Sequence, residues 1–168
     1  MWKRISLTLL ITGTLTGITF ATQAEQSHSD TMQMQHPHAP AMAMPSDSRV
    51  LVHFPEHLRI HTLSNMRDHL LTLQEIQAAL ASGAFDKAAT VAEQRLGLSS
   101  LKLHGAHEVA PYMPEGMRAT GTKMHEAASR FAIAAKDAGV TGDVRPALAA
   151  LADVTKQCVA CHAAYRLH

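Results

Sequence analysis

Leu63, Met66, Leu70, Leu73 and Leu80 recur at spacings of three, four and seven, the period of a single apolar face on a helix. Pro55 can occupy the first turn of that helix and Gly83 stands just past its end, the expected polarity of the two breakers. A second helix is predicted from Phe85 or Asp86, carrying Ala89, Val91, Ala92 and Leu96, with a break near Gly97. After a turn region from Pro111 to Gly116, a third runs from about Glu115 to Ala138 and is closed by Gly139. Thr141, Asp143 and Pro146 announce a fourth, which continues to Tyr165. With short loops, no alternating strand pattern and no internal repeat, the expected fold is all-α, an antiparallel four-helix bundle over residues 49–168.

The material for the interior of such a bundle is unusual. Its aromatic residues are only Phe54, Phe85, Phe131, Tyr112 and Tyr165, while alanine is abundant. Helices faced with alanine either approach one another closely or share their interior with something large, and a cofactor would serve.

The first 48 residues do not belong to that core. Residues 1–24 begin with Lys3 and Arg4, continue as an apolar run from Ile5 to Ala21, and end on the small-residue site Thr22-Gln23-Ala24, the pattern of a secretory signal peptide. The run is short and rich in threonine against the roughly 20 residues of a membrane-spanning helix, so export to a periplasm is expected rather than anchoring. Residues 25–48 contain no leucine, isoleucine, valine or aromatic residue and are interrupted by Pro37, Pro40 and Pro45, a composition expected of a disordered tail. The tail concentrates His28, His36, His38, Met32, Met34, Met42 and Met44, imidazole and thioether groups that suit copper. Loss of Lys3 and Arg4 with the leader leaves 13 basic against 14 acidic residues, a formal charge of −1. Nucleic-acid binding, which calls for a basic stripe, is not expected.

Both cysteines of the chain lie in CVACHAAYRLH, residues 158–168. At about 100° per residue on a helix, Cys158, Cys161, His162 and Tyr165 fall within about 100° of one another, on the stripe begun by Ala147, Leu151 and Val154. In an oxidising compartment two cysteines can form a disulfide, and a C-x-x-C pair also occurs in redox and zinc sites. Redox pairs, however, sit at helix N-termini after a strand, where the thiol pKa is lowered. A C-x-x-C-H at the end of a last helix fits covalent haem attachment, with two thioether bonds from Cys158 and Cys161 and the imidazole of His162 presented to iron.

CVACHAAYR at the end of the fourth helix, preceded by SNMRDHLLTLQEIQAALASGAFDKAATVAEQ, resembles the cytochrome c prime family of class II c-type cytochromes, in particular its six-coordinate low-spin members. The resemblance spans roughly residues 56–166. It implies that His162 is the proximal iron ligand, that Arg166 lies near the proximal haem face, and that Met66 occupies the distal position on the first helix. From the stripe alone Met66 reads as packing, as methionine on such a face usually does. A ligating methionine would make a low-spin electron carrier and raise its potential. Two positions depart from the family: Thr62 replaces an arginine one turn before Met66, which leaves Arg59 as the candidate partner for the haem propionates, and the third helix has no tryptophan.

His61 and His69 flank Met66, and His69 could compete for the iron. His104 and His107 are three apart and are followed by Met113, Met117, Met124 and His125; a metal site there competes with the reading of surface histidines. The expected function is that of a periplasmic c-type cytochrome, not an enzyme, carrying single electrons through one covalent haem c to periplasmic redox proteins. The alternatives are a gas-binding haem protein, with Met66 loose or displaced by NO or CO, and a copper-handling protein built on the His/Met tail. The resemblance also implies homodimers packed through the first two helices.

Overall fold

The computed structural model describes residues 46–168; the expected signal peptide and almost all of the expected tail lie outside them. The described chain is mostly helical. A strand β1 (Val50–Val52) precedes α1 (Glu56–Ala81) and α2 (Phe85–Arg95); a short α3 (Ala106–Val109) is flanked by 3-10 turns at Leu98–Ser100 and Ala110–Tyr112; α4 (Glu115–Thr141) and α5 (Arg145–Ala164) lead to a last strand β2 (Tyr165–Leu167). Among the described residues, no helix is long and apolar enough to cross a membrane.

The two longest helices start by the same local device. Pro55 and Pro114 hold their φ at −51° and −54° just before the first turn, and Glu56 and Glu115 follow them, where the helix dipole favours a carboxylate. At the start of α5 the Asp143 carboxylate accepts the Arg145 backbone N–H at 3.1 Å. Helix α4, predicted as the third helix of the bundle, does not end where the sequence suggests. It runs past Gly139 to Thr141 and closes on Gly142, whose φ of +75° is the left-handed conformation that favours glycine. Gly139 lies within the helix beneath Phe85, a close approach that favours glycine: a Cβ there would lie 3.3 Å from the Phe85 Cβ.

Helix α1 packs on α2, α2 on α4, and α4 on α5. The core is alanine-rich as expected. Ala88 and Ala92 of α2, Ala128 and Ala135 of α4 and Ala147 of α5 have no exposed surface, and Phe131 is the largest of the fully buried side chains. Such small faces let helix axes approach closely, and Phe131 fills the space between them. Arg95 on α2 clamps α1 by donating to both Asp68 and Glu75, the latter at 2.8 Å.

The mostly helical chain is consistent with the all-α expectation, with two local departures. A short strand pair was not expected, Val50–Val52 pairing in parallel with Tyr165–Leu167 in the register Val50 to Tyr165. Three residues are too few to show an alternating pattern, so this pairing was invisible to periodicity. It ties the segment before α1 to the end of α5, and Val52, Phe54 and Met117 form a second small core beneath it. The predicted apolar stripe of α1 is also not uniformly buried. Thr62, Thr72, Ile76, Ala79 and Leu80 are buried, whereas Leu63, Met66 and Leu73 are half-buried and Leu70 is 70% exposed. The upper half of the stripe faces a cavity instead of a helix.

Candidate functional site

The cavity measures about 640 Å³, within the ~300–1,000 Å³ of small-molecule and cofactor sites. Leu63, Met66, Leu70 and Leu73 of α1 line one wall, Thr120, Gly121 and Met124 of α4 another, and Cys158, Cys161 and His162 of α5 the third. A smaller cavity of about 310 Å³ adjoins it, sharing Leu63, Met66, Cys161 and His162 and adding Arg49, Tyr165 and Arg166. Met66, both cysteines and His162, singled out from sequence on two helices far apart in the chain, thus line one space.

The cysteines are free thiols, half-buried, and Cys158 donates its S–H to the Val154 carbonyl at 3.6 Å. Burial raises the pKa of both. That is the opposite of an activated redox pair, which needs its thiolate stabilised. A shared zinc ion is not supported either: among the described residues, no group of three or more His, Cys, Asp and Glu side chains is placed to hold a metal ion. His162 is exposed at the cavity wall, and its carbonyl accepts from Arg49 Nη1 at 3.3 Å.

Two thiols, one imidazole and one thioether around an apolar space form a donor set that suits a flat apolar iron macrocycle. Two further observations fit such a group. Gly121 lies inside α4, where glycine costs roughly 0.5–1 kcal/mol relative to alanine, and nothing lies within 4 Å of the place its Cβ would take, on a wall of the cavity. Thr62, one turn before Met66 and on the wall of the adjoining cavity, has a buried hydroxyl with no hydrogen-bond partner.

The rim is basic. Arg166, expected near the proximal face, lines the adjoining cavity with His162, and its Nε lies 3.4 Å from Asp47 without hydrogen-bond geometry. Asp47 is bonded chiefly by Arg49, which lowers its carboxyl pKa to about 2. Arg59, the sequence candidate for propionate contact, is instead engaged by Glu56 through two bonds of 2.7 Å and lines neither cavity. Arg67 was missed. It lines the large cavity, is exposed, and has no carboxylate within 4 Å among the described residues. Its position next to Met66 was the available signal. Arg49 was missed as well, because only the β1–β2 pairing brings residue 49 beside residue 162.

The other histidines separate differently from the H-x-x-H reading. Gly105, left-handed at φ +59°, ends the turn between His104 and α3, so His107 is exposed while His104 is buried. His104 meets His69 of α1, their Nε2 atoms 3.4 Å apart, and His125 of α4, the ring centroids 5.3 Å apart. His61 Nε2 accepts from the Asn65 side-chain amide at 3.3 Å, and the same amide nitrogen donates to the His104 carbonyl.

Comparison with protein-family models, with curated proteins and with solved structures finds no match for this chain.

Proposed function

We propose that this chain is a class II c-type cytochrome of the cytochrome c prime type, an antiparallel four-helix bundle that carries single electrons in a periplasm after removal of its leader. The observation that carries the reading is the convergence of Cys158, Cys161, His162 and Met66 on one cavity of about 640 Å³ whose remaining lining is mainly apolar, with Leu63, Leu70, Leu73, Met124 and Val159 among it. Covalently bound haem c would supply a one-electron iron couple there.

The residues then have defined tasks. Cys158 and Cys161 hold the group by thioether bonds, and their protonated, half-buried thiols are kept from reacting elsewhere before attachment. His162 supplies the proximal imidazole. The Arg49 bond to its carbonyl and the β1–β2 pairing fix the end of α5 that bears it. Met66 would supply the distal thioether, and the half-buried Leu63 and Leu73 would help keep water from that wall. Arg67 would offer positive charge to carboxylates at the rim, with Arg166 beside the adjoining cavity, whereas Arg59 is engaged by Glu56 and Arg49 by Asp47. Leu70 and Val159, 70% and 63% exposed on the cavity wall, form an apolar lip at which a redox partner can dock weakly.

Attachment is tested by intact mass after expression with a cytochrome c maturation system. The mature chain is expected to carry the mass of one haem that survives denaturation, and Cys158→Ala/Cys161→Ala to carry none. A wild-type chain of unmodified mass, or a double variant still covalently loaded, would contradict the reading.

A further inference from the structure

Beside Met66, a third cavity of about 250 Å³ is lined by His69, His104 and His125 together with Met66, Met113 and Met124. The proposed electron-carrier function uses Met66 alone among these residues. The remaining cluster is large for a structural accident: three imidazoles from α1, the turn before α3, and α4 meet at the back of one cavity.

The hydrogen bonds fix which nitrogens face inward. Ser100 Oγ donates its one proton to the Gly97 carbonyl at 2.7 Å, so towards His104 Nδ1, 3.4 Å away, it can only accept. His104 therefore carries its proton on Nδ1 and turns a lone pair on Nε2 towards His69. His125 in the same way donates from Nδ1 to the Leu96 carbonyl at 2.8 Å. Imidazoles held at one nitrogen by oxygen acceptors, with the other left as a lone pair, are the usual arrangement of metal-ligating histidine. Metal–imidazole bonds of about 2.0–2.1 Å at a tetrahedral angle set two ring nitrogens about 3.3–3.4 Å apart, and the His69 and His104 Nε2 atoms stand 3.4 Å apart.

We propose that His69 and His104, with a thioether from Met113 or Met124, form a binding site for a monovalent soft metal ion, Cu(I). Every donor is neutral. Asp68, which precedes His69 on α1, is engaged by Arg95, so a single positive charge is far easier to accommodate there than a double one. Sulfur and imidazole together select copper among the first-row metals. The competing explanation of the 3.4 Å contact is a direct His69 N–H to His104 hydrogen bond, which needs no thioether.

The test is an anaerobic titration of the mature, reduced protein with Cu(I), in competition with a chromophoric Cu(I) chelator. Wild type is expected to withdraw one more equivalent than His69→Gln/His104→Gln, both retaining the His/Met-rich residues 25–48. Equal withdrawal by a folded double variant would overturn the proposal. Because His104 is buried and its replacement can cost the fold, the wild-type protein is also followed by nitrogen-15 NMR of its imidazoles. Excess chelator set to hold back the tail sites leaves the strongest site as the one filled. One bound equivalent is expected to move the Nε2 resonances of His69 and His104 and a methyl signal of Met113 or Met124, and resonances that stay in place would overturn it.

Discussion

Met66 carries the sharpest expectation at the scale of a single residue. It is half-buried on the wall shared by all three cavities, between the side bearing His162 and the side bearing the histidine cluster. Nothing in its burial demands methionine, since leucines at 63 and 73 are half-buried beside it. If its sulfur is the distal ligand, Met66→Ala is expected to turn a low-spin haem spectrum high-spin and to let CO bind. A variant that stayed low-spin would assign the sixth position to His69, three residues further along α1 and on the wall of the same cavity. Thermal melts separate that effect from packing: a half-buried methionine cut to alanine costs less than the ~2–5 kcal/mol of a fully buried one.

At the scale of the element, Gly121 makes the cavity testable without touching a proposed ligand. Leucine is the better helix former by roughly 0.8 kcal/mol, and no atom stands within 4 Å of the new Cβ. Gly121→Leu is therefore expected to leave the thermal midpoint of the unloaded chain unchanged or higher while reducing haem incorporation severalfold, measured as haem per protein. Full incorporation would place the group elsewhere. The helices themselves were legible in the sequence to within a few residues, because Pro55, Gly83 and Pro114 act locally and the 3.6-residue period of α4 and α5 is strong. Gly139 misled because a glycine signals either a helix stop or a close approach, and only the position of Phe85 decides between them. Cys158, Cys161 and His162 were readable from their spacing, which is local to one helix. The Arg49 and His69–His104–His125 contacts were not, because each depends on how separate elements meet, whereas Arg67 was overlooked despite standing next to Met66 on α1.

For the whole molecule, the buried histidines set a dependence on pH. His69 and His104 are pressed from an ordinary 6.5 to about 4, first by desolvation and then by neighbouring imidazoles, and His125 is lowered by burial. The unfolded chain therefore binds more protons than the folded one between about 6.5 and 4, so stability is full above 6.5 and is lost as pH falls through that window. Without added metal, the thermal midpoint is expected to fall from pH 7 to pH 4.5, and His69→Gln to flatten the fall. A midpoint independent of pH over that range would mean that the rings are not buried neutral. The absorption spectrum of the ferrous mature protein before and after CO tests most directly the proposed low-spin iron between α1 and α5. Sharp low-spin bands indifferent to CO are predicted, whereas a broad high-spin spectrum that shifts on adding CO would contradict the distal assignment of Met66 and favour a gas-binding protein.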